Sequence, residues 1–217
     1  MPDPFARLIP DARAFLAELA VHNSRDWFAG QKNRYDTTVK APAQLLLDQV
    51  AYDLGRQTGV PLTPKLFRPQ RDVRFSKDKT PYHTHLHMMW SIGGSGPKQP
   101  ALFFGLSPDY VKIGGGIMGF DKTTLTGWRN AVDGPFGDQV HQVLDDLAML
   151  GLAAAEPELK RIPAPFGKGT RHGDLLRRKS LTLWRDVPDA RFGAPQAALS
   201  EVFTALAPML ALLDENL

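Results

Sequence analysis

Apolar side chains in the N-terminal quarter of the chain recur at the three- and four-residue spacing of amphipathic helices. The first predicted helix begins at Pro10 and ends at Asn23. Ser24 is a typical N-cap for a second helix, because its hydroxyl can accept a hydrogen bond from a free amide of the first turn. Pro42 suits the first turn of a third helix, which is expected to run to about Gly59. The pattern therefore predicts an N-terminal helical layer.

The spacing then changes from helical to alternating. The clearest strand is predicted over Tyr82–Ile92, with apolar residues at even positions and three histidines at odd ones. Residues 71–76 also alternate and predict a strand at the edge of the sheet. A loop at Gly93–Pro97 follows, and the segments Ala101–Leu106 and Tyr110–Ile113 then complete an antiparallel meander.

Helical spacing returns in the last hundred residues. Helices are predicted over residues 121–132 and 135–151, and Ser180–Val187 is the one returning strand. The final helix begins at Pro195. Pro208 is expected to kink or split that helix, because proline removes a backbone donor.

Together these elements predict a single α+β domain over residues 1–217, with an antiparallel sheet of about four or five strands. Its parts are the helical layer at 1–60, a strand meander at 65–118, and further helices with the returning strand at 121–217. No repeat, low-complexity segment or clear linker interrupts the chain.

The composition is that of a globular protein, with 43% hydrophobic and 23% charged residues. The chain has no cysteine, which excludes disulfides, a thiolate nucleophile and cysteine metal ligands. Its N-terminus lacks the basic and apolar regions of a signal peptide, and no apolar run is expected to approach the length of a membrane span. We therefore expect a cytoplasmic protein with no membrane partner.

The net charge of +3 is unevenly distributed. The segment from Lys65 to Lys79 holds six basic and two acidic residues, and the segment from Lys160 to Arg185 holds eight basic residues and one acid. Their charges of +4 and +7 leave −8 on the remainder of the chain. A focused positive field can steer an anionic ligand. The alternative is that the two segments lie on different faces and serve solubility.

Charged and hydroxyl side chains are most concentrated in residues 71–82, which have the sequence RDVRFSKDKTPY. These residues are called the 71–82 segment below. Its four cations cannot be buried unpaired, so they either pair with the two aspartates or face an anion. Arginine offers a planar fork for phosphate or carboxylate, and lysine offers a point charge. The segment predicts either an anion site or an ion-pair network that locks the helical layer to the sheet. Asp72 and Asp78 are the candidate acid–base groups, unless they merely neutralise their neighbours.

We expect this segment and the second basic region to form one pocket for a phosphorylated small molecule or a nucleotide. The predicted ligand-binding residues are Arg71, Arg74, Ser76, Lys77, Lys79, Tyr82, Arg129, Arg178 and Lys179. The alternative is a non-enzymatic module that binds nucleic acid or protein, because basic residues interleave here with aromatic ones. Whether the protein is an enzyme stays open, no cofactor is implied, and the oligomeric state is not predicted.

His83, His85 and His87 form a row on the polar face of the predicted strand. Two neighbouring imidazoles can share one metal ion. On a regular strand the outer two would lie nearly 14 Å apart, roughly four residues at ~3.3 Å each, so all three cannot bind the same ion. A metal would use one adjacent pair with His141, His172 or an acid. A metal-dependent hydrolase is the third functional hypothesis, and solvated or sheet-packed histidines are the alternative.

The triplet Gly114-Gly115-Gly116 is expected to end or bulge the strand that begins at Tyr110. A phosphate-binding loop needs a helix whose N-terminus points at the ligand. Since four residues intervene before the next predicted helix and no Walker pattern is present, a bulge is the favoured interpretation.

These motifs together resemble an uncharacterised bacterial and fungal family known as domain of unknown function 2461. The resemblance covers nearly the whole chain, and it implies no activity because the family has no established function. It rests on HNSRDWF at 22–28, the 71–82 segment, the glycine triplet, Leu125, Arg129, and LRRKS at 176–180. His83 replaces the lysine that relatives tend to have after the motif tyrosine, so the histidine row is partly this chain's own.

Overall fold

A computed structural model describes residues 5–93, 99–167 and 169–216. The chain divides into two compact units. The first unit comprises Met1–Trp90, Phe103–Ile113 and Asp186–Ser200, and the second comprises Ser91–Leu102, Gly114–Arg185 and Glu201–Leu217. Most of the predicted Gly93–Pro97 loop lies outside the described residues.

The described residues form seven α-helices and one open antiparallel sheet of six strands, in the order β1-β2-β3-β4-β6-β5. The strands are β1 (Leu62–Leu66), β2 (Leu86–Ile92), β3 (Ala101–Leu106), β4 (Val111–Ile117), β5 (Ala153–Ala154) and β6 (Leu181–Asp186). The helices are α1 (Leu8–Val21), α2 (Arg25–Arg34), α3 (Ala41–Thr58), α4 (Lys122–Val132), α5 (Pro135–Met149), α6 (Gly173–Leu176) and α7 (Pro195–Asn216).

The predicted α+β class is confirmed, but the expected four or five strands were too few. Strands β1 and β5 were not predicted, and β5 is only two residues long, which is too short to show an alternating pattern. It pairs antiparallel with β6, through Ala153 with Trp184 and Ala154 with Leu183. The prediction of one domain over residues 1–217 stays a prediction.

The predicted edge strand over residues 71–76 is wrong. These residues have no ladder, and the nearest pairing is an isolated bridge between Gln70 and Tyr82. The aspartates of the segment explain the difference, because their carboxylates accept hydrogen bonds from the amides of Arg74 (3.2 Å) and Thr80 (2.9 Å). Such local bonds compete with a ladder. The next strand was expected to begin at Tyr82, but β2 begins only at Leu86.

The helix starts and stops follow the sequence closely. The Ser24 side chain accepts from the amide of Trp27, as expected of the N-cap of α2. Helix α3 has Pro42 in its first turn and ends at Gly59, which adopts a left-handed conformation. A π-helical segment, Tyr35–Lys40, joins α2 to α3 and was not predicted. Pro208 lies inside α7 without splitting it.

By length and composition alone, α7 could cross a membrane, contrary to the expectation that no apolar run approaches that length. In the structure its apolar stripe is buried, as in a core helix of a globular protein. The buried residues of this stripe are Ala198, Leu199, Val202, Phe203, Leu206, Met209, Leu210 and Leu213.

The core of the first unit contains a cluster of aromatic rings. Phe15 of α1 lies 6.2 Å from Phe28 of α2 and 5.5 Å from Tyr35, measured between ring centroids. A second anchor is Trp90 of β2, whose indole N–H donates to the carbonyl of Leu47 in α3 at 2.8 Å. Burying large rings while satisfying the indole donor stabilises this packing. Phe28 also stacks on Tyr82, which joins the end of the 71–82 segment to this cluster.

In the second unit Trp128 of α4 is the central buried ring. Its indole N–H donates to the carbonyl of Leu175 in α6 at 2.9 Å, and its ring lies 5.2 Å from Phe120 and 6.1 Å from Phe136. This hydrogen bond is buried, so it places α6 against α4 in a defined register. The helical segment that carries Asp174 is thereby held in position.

The glycine triplet lies inside β4 and is covered by β6. A Cβ at Gly114 would collide with the carbonyl oxygen of Leu183, and a Cβ at Gly116 would collide with that of Leu181. Gly116 also has a φ of 127°, which disfavours any other residue. The triplet therefore lets two strands approach closely, and the strand continues to Ile117 instead of ending at the triplet as expected.

Replacing Gly116 by alanine should destabilise the protein by about 3 kcal/mol or more, because the backbone conformation is strained for alanine and the Leu181 carbonyl would have to move. Urea unfolding measures this change. Gly127→Ala in α4 is the matched control, since nothing lies within 4 Å of the added carbon. It should raise the free energy of unfolding by about 0.5–1 kcal/mol. Equal stability of the two variants would contradict the close-approach explanation.

Candidate functional site

The 71–82 segment is a loop that is closed at its base by backbone hydrogen bonds. The amide of Arg71 donates to the carbonyl of Pro81 at 2.9 Å, and the amide of His83 donates to that of Pro69 at 2.7 Å. These bonds flank the isolated bridge between Gln70 and Tyr82. The two ends of the loop are therefore held side by side.

The helical layer holds the loop through Asn23 and Phe28. The Asn23 side-chain amide donates to the Tyr82 carbonyl at 2.9 Å, and its oxygen accepts from the Tyr82 amide at 3.1 Å. The rings of Phe28 and Tyr82 stack at 4.1 Å with an interplanar angle of 16°. Tyr82 is thus an anchor of the loop, and its ring is committed to Phe28.

Arg71 is paired inside the loop. Its guanidinium contacts the Asp78 carboxylate and the Thr80 hydroxyl, and it reaches the Thr80 carbonyl at 3.3 Å. Hydrogen bonds from the Thr80 amide, Arg71 and the Thr80 hydroxyl lower the pKa of Asp78 to about 2. A carboxylate that is ionised throughout the neutral range is a poor proton acceptor. Asp78 is therefore better suited to holding Arg71 and Thr80 in place than to acid–base chemistry.

Arg74 is paired with Asp72 in a forked arrangement. Its Nε donates to Oδ1 at 3.0 Å and its Nη2 donates to Oδ2 at 2.7 Å. The side-chain hydrogen bond from Arg74 lowers the pKa of Asp72. Both predicted acid–base candidates of the loop therefore neutralise neighbouring arginines, which is the alternative that the sequence left open.

The lysines of the loop face outward. Lys79 donates from Nζ to the carbonyl of Val73 at 2.9 Å, which spans the loop. Lys77 is exposed and has no hydrogen-bond or ion-pair partner within the described residues. The backbone amide of Ser76 contacts the Val73 carbonyl at 3.4 Å, and this residue is half-buried. Arg71 and Arg74 are paired with carboxylates, whereas neither lysine forms an ion pair with a described residue, and Lys77 also lacks a hydrogen bond to one.

Phe75 at the tip of the loop is 96% exposed. The guanidinium of Arg74 lies 5.9 Å from the centre of its ring. A similar pair lies on the chain just before the loop, where Lys65 is 4.7 Å from the ring centre of Phe67, itself 41% exposed. Two exposed aromatic rings with cations over them thus belong to one basic region of the first unit.

The three imidazole rings of the row pack against one another. The ring centroids of His83 and His85 are 4.7 Å apart, and those of His85 and His87 are 3.9 Å apart with an interplanar angle of 18°. His87 also contacts the Tyr110 hydroxyl through Nε2 at 3.0 Å. Two of the three positions precede β2, so the regular-strand spacing assumed from the sequence does not apply to them.

Burial lowers the pKa of all three imidazoles of the row. For His85 it reaches about 4, chiefly through desolvation and then through the positive charges that His87, His83 and Arg71 would place nearby. The pKa values of His83 and His87 are lowered for the same leading reason. The stack is therefore neutral at physiological pH. Within the described part of the chain, no set of three or more His, Asp or Glu side chains is arranged to hold a metal ion.

Three predicted ligand residues belong to the second unit, whereas the 71–82 segment belongs to the first. Arg178 is only 8% exposed, and one terminal nitrogen donates to the carbonyl of Ala155. Desolvation lowers its pKa. The Nε atoms of Arg178 and Arg129 are buried without an acceptor among the described residues. Lys179 is exposed, and a single pocket joining it to the 71–82 segment stays a prediction.

A second polar cluster, which sequence reasoning did not assemble, lies in the second unit. Nδ1 of His141 lies 3.1 Å from Nδ1 of His172, and the His141 Nε2 lies 3.0 Å from the Asp174 carboxylate. Nε2 of His172 lies 3.4 Å from Asp138, which also pairs with Arg171 at 2.9 Å. The sequence named the two histidines only as partners for the row. The sequence signal that could have indicated this cluster is the spacing of Asp138 and His141, which lie three residues apart on a predicted helix and therefore on one face of it.

A family model described as "Conserved hypothetical protein (DUF2461)" matches residues 11–214 of the 217-residue chain. The matched range includes the 71–82 segment and the His141–His172 pair. No curated protein matches the chain.

The histidine row should make the folded protein sensitive to acid. The unfolded chain has histidine pKa values of about 6.5, above those of the folded row. Protons therefore bind the unfolded chain preferentially, and the stability is fully present above pH 6.5 and is lost as the pH falls towards 4. For His85 this loss should amount to about 1–2 kcal/mol after allowance for solvent screening.

Urea unfolding at pH 7.5 and pH 4.5 tests this prediction with His85→Gln, which cannot take up a proton. The variant should lose less stability than the wild type between the two pH values. His22→Gln, at an exposed histidine of the same unit, is the control and should follow the wild type. If all three proteins lose the same free energy, the row does not carry the acid sensitivity.

Proposed function

The chain belongs to the conserved hypothetical protein family DUF2461, whose description assigns no activity, and we propose that it binds single-stranded nucleic acid through the 71–82 segment. The bases would stack on Phe75, and the phosphates would meet the exposed lysines. The proposal places this binding in the cytoplasm, in keeping with the cysteine-free sequence.

The observation that carries this proposal is the exposure of Phe75. A phenylalanine that is 96% exposed lies at the tip of a braced loop, between Arg74 and the unpaired Lys77. The exposed ring of Phe75 leaves its face open for a partner to stack on. Stacking of bases on aromatic side chains with lysine and arginine on the phosphates is the usual chemistry of single-strand binding.

The loop suits this role because ion pairs and hydrogen bonds between its own residues hold its conformation. The pairs Asp72–Arg74 and Arg71–Asp78, together with the Lys79 contact to the Val73 carbonyl, hold it by hydrogen bonds. A loop that is already braced loses less conformational freedom when it binds. Its ion pairs therefore favour binding even though they remove two arginines from direct contact with phosphate.

The same exposure favours an extended ligand over the phosphorylated small molecule that the sequence first suggested. Small-molecule sites bury most of the ligand surface, whereas Phe75 offers an open ring. One stacked base contributes only about 1–3 kcal/mol, so useful affinity needs several nucleotides in a row. The Lys65–Phe67 pair supplies a second cation and ring of the same kind in this unit.

Phe75→Ala should weaken binding of a fluorescein-labelled single-stranded 20-mer by roughly 5- to 100-fold, the equivalent of one lost stacking contact. Fluorescence anisotropy measures the dissociation constant. Tyr52→Ala is the matched control, because Tyr52 is 59% exposed and carries Arg56 over its ring at 5.6 Å, but lies on α3 outside the loop. Equal effects of the two substitutions, or no binding by the wild type, would refute the proposed function.

Binding should also weaken as salt rises, with a slope set by the number of phosphates neutralised. Lys77→Ala should reduce that slope by about 0.7, the value for one phosphate contact on a single strand. Anisotropy titrations from 50 to 200 mM potassium chloride provide the measurement. A mononucleotide in excess should compete poorly. Effective competition by the mononucleotide would instead support the small-molecule site.

A further inference from the structure

The two histidines of the second unit face each other through like atoms. Their Nδ1 atoms lie 3.1 Å apart, whereas the ring centroids lie 5.0 Å apart. Since the nitrogens are much closer than the rings, both Nδ1 atoms point into the space between His141 and His172. This end-on contact differs from the stacked row, in which ring faces lie against each other.

The neighbouring carboxylates determine which ring nitrogens carry protons. The Nε2 atom of His141 lies 3.0 and 3.1 Å from the two oxygens of Asp174. That of His172 lies 3.4 Å from Asp138. An ionised carboxylate only accepts hydrogen bonds, so Nε2 is the protonated nitrogen of His141, and the charge of Asp138 favours the same tautomer of His172. In these tautomers both Nδ1 atoms present lone pairs to each other, an arrangement that either a proton or a metal ion between them would stabilise.

A transition-metal ion fits this arrangement. Imidazole nitrogens bind zinc at about 2.0–2.1 Å, so two ligands of a tetrahedral site lie about 3.3 Å apart, close to the observed separation. Metal-binding histidines also commonly donate their other N–H to a carboxylate, which orients the ring. Asp174 lies beside Nε2 of His141 and Asp138 lies beside Nε2 of His172, as such carboxylates do. Their negative charges would offset the charge of the metal.

The surroundings leave one ring fixed and the other accessible. His172 is 3% exposed, and its ring packs so closely on helix α5 that a Cβ at Gly137 would collide with it. The side chain of His141 is 36% exposed. A metal held between them would therefore be supported from the protein side and open towards solvent.

We propose that His141 and His172 bind one divalent transition-metal ion through their Nδ1 atoms. No third His, Asp or Glu side chain among the described residues completes a ligand set. The remaining coordination positions are therefore filled by water or by a bound molecule, as in sites where a metal meets a substrate. Zinc, copper and nickel are the ions that neutral imidazole favours. This inference is independent of the proposed function, which rests on the other unit.

Isothermal titration of the full-length protein with zinc chloride alone tests the site, in a buffer that does not bind metals. The six histidines of the chain allow a matched comparison. The wild type and the triple variant His83→Ala, His85→Ala, His87→Ala should each bind one equivalent of zinc. His141→Ala should lose that equivalent. Since His141 is half-exposed, this variant should fold, and circular dichroism with a thermal melt verifies that it does.

The carboxylate beside His141 supplies a second, graded readout. Asp174→Ala should weaken zinc binding by about 10- to 100-fold, because the ring loses the acceptor that orients it. Asp26→Ala, at an acidic residue of the first unit, is the control and should leave the affinity unchanged. Cobalt substitution gives an independent signature, since the visible absorption of tetrahedral cobalt should appear in the wild type and be absent from His141→Ala.

Three results would overturn the proposal. One is a wild type that binds no zinc, in which case the two rings share a proton. Another is zinc binding that persists in a folded His141→Ala variant. The third is loss of the bound equivalent in the triple variant of the row, which would assign the metal to His83, His85 and His87.

Discussion

The paired hydrogen bonds between the Asn23 side chain and the backbone of Tyr82 are the contact on which the loop of the first unit depends. The 71–82 segment has no strand ladder, so its backbone groups need other partners. Asn23 satisfies both polar groups of one residue at the point where the loop returns. The stacked Phe28 and Tyr82 rings then join this point to the aromatic core around Phe15.

Once its base is held, the loop is organised by its own charges. Asp72 and Asp78 form ion pairs with Arg74 and Arg71, so these carboxylates determine the shape of the loop. The groups left outward are an exposed ring and lysine side chains. Exposed ion pairs contribute little to stability individually, about 0–1 kcal/mol each. Their effect here is conformational, because together they present Phe75 away from the body of the unit.

The histidines illustrate how the same side chain acquires different chemistry in two environments. The row in the first unit stacks beside Arg71 and is kept neutral, since burial and nearby positive charge both lower its pKa values. The pair in the second unit is flanked by Asp138 and Asp174. Acidic partners favour a cation between the rings of the pair, whereas Arg71 adds positive charge beside the row. The sequence placed metal chemistry on the row because its spacing is conspicuous, although the carboxylates lie elsewhere.

The helices and most strands could be predicted because their signals are local. Ser24 and Asp121 cap α2 and α4 through their own side chains, and the alternation of Leu86, Met88 and Trp90 marks the buried face of β2. The edge strand at 71–76 failed because alternation does not reveal side-chain bonds to nearby amides. Strand β5 was missed because two residues have no periodicity. Of the candidate site, the loop and its cations were predictable, but their internal pairing was not.

The sequence by itself determined the α+β class, the helix caps, the family resemblance and the position of the charged loop, since each depends on neighbours along the chain. Only the tertiary structure decided that Asn23 clamps Tyr82, that β6 packs on Gly114 and Gly116, and that His141 meets His172. These contacts join residues about 30 to 70 positions apart. Their geometry depends on how helices and strands pack, and no local pattern records that packing.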